Sequence, residues 1–148
     1  MATTGQVKET KTFSVRQGKE VVVRMRNLPG LLAEIAKVVS EKGVNILALN
    51  ATVYGEDCVI RMITDDNLRT KDLLTARHYG PQEENVLVMD LAHRPGMLRR
   101  VTELLAKEDI DLRHAYATAA PEDERCLLVF HSSHDEHALV LLRHLESE

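Results

Sequence analysis

The feature that most constrains this chain is an internal repeat. A shift of 66 residues lays Pro29-Gly30 on Pro95-Gly96, Leu32 on Leu98, Ile35 on Val101 and Val39 on Leu105. The same shift lays Val44 on Ile110, Ile46 on Leu112, Ala51-Thr52 on Ala117-Thr118, and Val21 to Val23 on Leu87 to Met89. The apolar phase is kept throughout, so one folding unit is written twice. Two copies are too few for a solenoid, in which each repeat leans on neighbours on both sides. The core must therefore be built within and between two units.

Each copy has the same order of elements. "EVVVRM" and "NVLVMDL" are short, Val- or Leu-rich and strand-like. "LPGLLAEIAKVVSEKG" and "RPGMLRRVTELLAKED" carry apolar residues at 31, 32, 35, 38, 39 and at 97, 98, 101, 104, 105, one helical face in each. Pro opens both helices, where its missing N–H costs nothing. Gly43 can end the first, and Asp109 takes its place in the second. Strands "NILALNATVY" and "DLRHAYATA" follow, then the turns "YGED" and "APEDER", then strands "CVIRMIT" and "CLLVFHS". The second hairpin is two residues longer, which makes Cys58 and Cys126 equivalent. Helices "DNLRTKDLLTARH" and "SHDEHALVLLRHL" close the units, with Asp66 or Asn67 and Ser133 as N-caps.

The pattern is β-α-β-β-α, one strand short of a ferredoxin-like βαββαβ unit. "HYGPQEEN" can supply that strand to the first copy, whereas the second reaches Glu148 without one. The strand-like "KTFSV" at 11–15 lies outside both copies and is expected to pair at a sheet edge and supply it. The expected organisation is an N-terminal segment at 1–17, a first module at 18–83 and a second at 84–148.

Composition excludes several function classes. Net charge is −4 with a sequence pI of about 6.0, which gives no basic footprint for nucleic acid. Aromatic residues are 3% and Trp is absent, so stacking platforms for bases are scarce. No window has the length of a membrane span or a signal peptide, and the two Cys sit in apolar runs as reduced core residues would. A cytoplasmic protein is expected.

"NLPGLLAEIAKVVSEKGVNI" resembles the signature of the ACT domain, a small regulatory module of amino-acid metabolism, and "HRPGMLRRVTELLAKEDIDL" resembles a degenerate second one. The resemblance spans about residues 18 to 146. It implies an α+β fold of two ferredoxin-like βαββαβ modules in tandem, with antiparallel sheets side by side and helices on one face. It also implies an amino acid or similar small molecule bound between modules, a homodimer, and an enzyme partner under regulation. In serine-type sites of the family, an Asn before Pro-Gly and an Asn after the helix both contact ligand. Those positions here are Asn27 and Asn45, with Leu28, Pro29, Gly30, Leu31 and Ile46 around them. An amide offers both donor and acceptor to a zwitterion, and the helix start, with the N–H groups of Gly30 and Leu31, favours its carboxylate. Met25 stands where some serine-binding relatives have His, a departure from serine itself. The second copy offers a weaker site of His93, Arg94, Gly96, Met97, Asp111 and Leu112, in which both Asn are replaced.

Read without the resemblance, Asn27 and Asn45 are also good turn and cap formers through their side chains. The cluster His131, His134, His137 and His144 invites a metal-sensing reading, against solvated or capping histidines. A third reading is an adaptor that dimerises without ligand. No nucleophile elbow, P-loop, dinucleotide fingerprint or zinc-protease motif is present, so neither catalysis nor a cofactor is expected.

Overall fold

The computed structural model describes residues 13–119 and 124–146. Its elements are β1 (Phe13–Arg26), α1 (Leu31–Ser40), β2 (Ile46–Tyr54), β3 (Asp57–Thr64), α2 (Asn67–Ala76), β4 (Gln82–Ala92), α3 (Met97–Lys107), β5 (Leu112–Ala119), β6 (Arg125–Ser132) and α4 (Asp135–Glu146). The six strands form one antiparallel sheet in the order β2-β3-β1-β4-β6-β5.

Two separate βαββαβ units would need eight strands. Six suffice because β1 and β4 each serve both halves. The C-terminal part of β1 pairs with β3, from Val21↔Met62 to Arg26↔Asp57. Its N-terminal part pairs with β4 alone, from Phe13↔Leu91 to Lys19↔Asn85. Reciprocally, Gln82 to Asn85 of β4 close the first half against Val22 to Lys19, while Leu87 to Ala92 pair with β6. The shift of 66 exchanges Lys19 with Asn85, and these two face each other in the ladder. The expected side-by-side sheets are thus one continuous sheet. The expected limits at 17/18 and 83/84 fall inside β1 and β4.

The strand-like run at 11–15 corrects one expectation. Lys11 and Thr12 lie outside the described residues, but Phe13 and Val15 are buried in the core of the second half, with Leu87, Met89, Val101, Leu128 and Phe130. This stretch supplies the strand that the second copy lacks. It does so in the middle of the sheet, because β1 continues without a break into the first half.

The helices cover one face. Ile35, Val38 and Val39 of α1 pack with Val21, Val23, Ile60, Met62 and Leu74, and Val101 and Leu105 of α3 take the matching place in the second half. Leu32 and Leu98, expected in the buried stripes, are 40% and 57% exposed. Residues 31 and 32 flank the centre of the stripe, and only the side bearing Leu31 or Met97 meets the core in the first turn. Asp66 caps α2, its Oδ1 accepting from the Arg69 N–H at 3.0 Å. Asn67 instead ties α2 to β1, its Nδ2 donating to the Lys19 carbonyl at 2.9 Å. Ser133 is not the cap of α4, which begins two residues later; its Oγ accepts from the Asp111 N–H at 3.0 Å. Gly43 and Asp109 both take left-handed backbone after their helices, with φ of 77° and 55°. The two thiols are unpaired, and Cys58 and Cys126 hold equivalent places opposite Met25 and Leu91.

The face away from the helices is concave, and the edge strands β2 and β5 contact one another across it. Ala48, Ile63, Val86, Val88 and Val129 form an apolar cluster there. Gly18 is needed on this face, since a Cβ would stand 2.9 Å from Val88 Cγ2.

The shared ladder makes the halves one cooperative unit. Phe13→Ala, which opens a void in the second core, is expected to cost about 3–5 kcal/mol. Urea denaturation should show this as an earlier midpoint of a single transition. A loss under about 1 kcal/mol would mean that the N-terminal part of β1 does not close that core.

Candidate ligand-binding site

The turn at 27–31 is fixed by backbone bonds. The Asn27 N–H donates to the Glu56 carbonyl at 2.7 Å, and the Leu31 N–H donates to the Leu28 carbonyl at 3.1 Å. The expectation that the Leu31 N–H is open to a ligand therefore fails, because the tight turn consumes it. Gly30 sits at φ 86°, a conformation that costs any residue with a Cβ. No side chain caps α1.

Above this turn is an open concavity of about 440 Å³, formed by residues 27–33, Ala51 and Val53 of β2, and Cys58 of β3. All of it comes from the first half. Its rim is apolar and exposed, with Leu28 at 61% and Val53 at 53%. Pro29, Gly30 and Leu31 line it with Asn27, and Leu31 is buried beneath. Asn45 lies elsewhere. It follows α1, with its N–H donating to Asp65 Oδ1 at 3.0 Å and its carbonyl accepting from the Asp65 N–H at 3.1 Å. Ile46 beside it packs on the first core. The length of α1, ten residues or about 15 Å, separates Asn45 from Asn27. The amide side chains of both Asn make no hydrogen bond among the described residues. Neither therefore acts as a cap or turn former through its side chain.

In the second half the turn is copied. The His93 N–H donates to the Glu124 carbonyl at 2.6 Å, the Arg94 N–H to the Ala92 carbonyl at 3.0 Å, and the Met97 N–H to the Arg94 carbonyl at 3.4 Å. Gly96 is left-handed at φ 89°, and Met97 is buried. Asp111 and the half-buried Leu112 stand beyond the far end of α3, as Asn45 and Ile46 stand beyond α1. The four histidines are dispersed in role. His131 Nδ1 lies 2.9 Å from Asp135 Oδ2, and His134 Nδ1 lies 3.0 Å from Ser133 Oγ. His137 and His144 lie on α4. Among the described residues, no three His, Cys, Asp or Glu side chains gather as a metal set.

Sequence reasoning missed a polar cluster on the concave face. Glu20 is fully buried. Its Oε1 accepts from Arg61 Nη1 at 2.7 Å, and its Oε2 accepts from Tyr116 Oη at 2.9 Å. His114 Nε2 lies 2.9 Å from Oε1 but is not aligned for a hydrogen bond. Arg61 Nη1 also donates to Glu84 Oε2 at 2.7 Å, and Arg24 Nη2 donates to Glu84 Oε1 at 2.7 Å. Burial works against the Arg61 charge, but its hydrogen bonds to Glu20 and Glu84 outweigh this and raise its pKa. Burial likewise disfavours the charged Glu84, and Arg24 with Arg61 reverses this and holds its pKa low. Burial and the adjacent Glu20 push the Tyr116 hydroxyl up, so it stays a donor. Burial holds the His114 imidazole below its ordinary value despite the pull of Glu20. The sequence signal was a charge of opposite sign within each of two apolar strands, Glu20 in "EVVVRM" and Arg61 in "CVIRMIT".

Residues 19–77 match the ACT domain. The ACT match contains Asn27 and Asn45 and runs from β1 through α2. The fold of nearly the whole chain recurs in known structures. A protein from Bacteroides thetaiotaomicron superposes with a TM-score of 0.81 at 20% identity, over 89% of this chain and 90% of its own. The ligand-free regulatory subunit of aspartate kinase from Thermus thermophilus gives a TM-score of 0.60 at 12% identity, over 91% and 98%. The corresponding subunit from Thermus flavus gives 0.54 at 14% identity, over 93% and 97%. At these identities the likeness is one of fold. No curated protein matches the chain in sequence. Among the described residues, no helix is long and apolar enough to cross a membrane.

The depressed His114 sets an acid sensitivity. The unfolded chain takes up this proton first, near the ordinary histidine value of about 6.5. The stability that neutral His114 contributes is therefore full above that pH and is lost as pH falls toward the folded value. Melting midpoints between pH 7 and 5 are expected to fall less steeply for His114→Gln than for the wild type. Parallel curves would contradict this.

Proposed function

We propose that the chain is a non-catalytic regulatory protein of two tandem ACT modules, which binds a free amino acid between modules of a homodimer. The observation that carries this reading is the pair Asn27 and Asn45, whose amides are both unspent within the described residues. A single chain holds them at opposite ends of α1. A second copy that set its Asn45 over the concavity at Asn27 would bring the two together. The exposed apolar rim of Leu28, Leu32 and Val53 suits such a contact.

The amides would hold ammonium and carboxylate without adding charge. Leu32 and Ala33, whose N–H groups no side chain caps, line the concavity and favour the carboxylate end. The ligand side chain would meet Leu28, Leu31 and the apolar wall. A regulatory role is the one named for the Thermus aspartate kinase subunits that share the fold. The bound amino acid would favour one packing of the two copies, and differential affinity for two packings is what can bias a partner enzyme. The second turn, with His93 and Asp111 in place of the Asn pair, is the weaker site. Two free thiols accord with a cytoplasmic location.

A thermal-shift series with the twenty amino acids, nickel and zinc tests this. Ligand at a hundred times its Kd adds about 2.7 kcal/mol of stability. One amino acid or a few related ones should raise the midpoint, and Asn27→Ala or Asn45→Ala should abolish the rise. Stabilisation by metal alone would replace this reading with metal sensing. No response to either would leave a dimerising adaptor.

A further inference from the structure

We propose that the concave face of the sheet holds a second binding site, separate from the turn at Asn27, for a small organic carboxylate gripped by Arg113. A cavity of about 520 Å³ opens there between the edge strands, with Asn50 and Thr52 of β2 on one side and Arg113 and His114 of β5 on the other. Arg61 and Glu84 line it, and the buried Glu20 bonds to that Arg61 beneath. Its size lies within the range usual for small-molecule sites.

Charge pairing selects the ligand. Every acid at the cavity already has its cation: Glu20 has Arg61, Glu84 has Arg24, and Glu83 has Lys71. Arg113 has no partner among the described residues and stands exposed at the mouth. Its planar fork of donors matches a carboxylate. Further donors are also unspent. Thr52 Oγ1 donates to Asn50 Oδ1 at 2.9 Å, which leaves the Asn50 N–H₂ group free, and the Asn85 amide makes no bond among the described residues.

Packing alone does not call for these residues. The positions that the repeat makes equivalent to Glu20, Arg61, His114 and His131 are Val86, Val129, Ala48 and Ile63, and they are apolar. Val86, Val129, Ala48 and Ile63 pack together as an ordinary core on the same face. Burying charges costs desolvation that well-packed apolar residues avoid. The chain keeps charge on one side only, and the cavity lies on that side. A ligand there would touch β2 of the first half and β5 of the second, and so report on how the edges of the sheet meet.

The test uses the whole chain, with the twenty L-amino acids, pyruvate, oxaloacetate and 2-oxoglutarate as probes in saturation-transfer NMR and calorimetry. At least one carboxylate is expected to bind, and Arg113→Ala should weaken it tenfold or more without moving the melting midpoint of the free protein. Asn50→Leu should weaken it as well, and Asn27→Ala should leave it unchanged. Amino acids binding alone, or oxo acids binding alone, would each identify the source of the carboxylate within the proposal. With the turn site silenced by Asn27→Ala, binding that survives the addition of Arg113→Ala, or no binding of any probe at 10 mM, would overturn it. Because the turn site answers to Asn27 and this one to Arg113, failure of either leaves the other standing.

Discussion

Everything in this molecule hangs on the β1–β4 ladder. It runs from Phe13↔Leu91 to Val22↔Gln82, and on it the repeat-related residues Lys19 and Asn85 face each other. Each strand crosses from one core to the other, so neither half can bury its apolar face without the other. Val21 and Val23 close the first core while Phe13 and Val15 close the second, on the same strand and the same side. Local unfolding of one half therefore strips a strand from the other. The expected cooperativity follows from connectivity rather than from an interface of side chains.

The repeat imposes near-symmetry, and the molecule departs from it at polar positions. The turns before α1 and α3 keep their backbone bonds and left-handed glycines in both halves. The amides are kept only in the first, where His93 and Asp111 are the counterparts of Asn27 and Asn45. On the concave face the departure is larger, with Glu20, Arg61 and His114 facing what are Val86, Val129 and Ala48 in the other half. A duplicated fold can spend one copy on architecture and the other on recognition, because the shared ladder stabilises both.

Much of the fold was legible in the sequence, and the reasons are local. Period and turn chemistry place the four helices and strands β2, β3, β5 and β6 near their observed limits, whereas β1 and β4 each read as two separate short runs. The offset of the second hairpin correctly aligns Cys58 with Cys126. The merging of two sheets was not legible, because strand length alone does not reveal that β1 pairs on two sides over different stretches. Leu32 and Leu98 defeat a simple helical stripe, since the first turn overhangs the core at one shoulder. The polar cluster was hidden for a different reason. Single charges in apolar strands look like exposed residues until the far edge strand folds over and brings Tyr116 and His114 onto Glu20. The separation of Asn27 and Asn45 was legible, because the helix between them already sets their ends about 15 Å apart.

If one ligand needs Asn27 from one copy and Asn45 from another, defects in the two positions must complement in trans. Asn27→Ala and Asn45→Ala chains can be mixed, allowed to exchange subunits, and titrated by calorimetry with the amino acid that stabilises the wild type. Random pairing puts one intact site in half of the dimers, so the mixture should recover about a quarter of the wild-type binding capacity, whereas neither variant alone binds. A mixture that binds no more than its components would contradict a site shared between two copies.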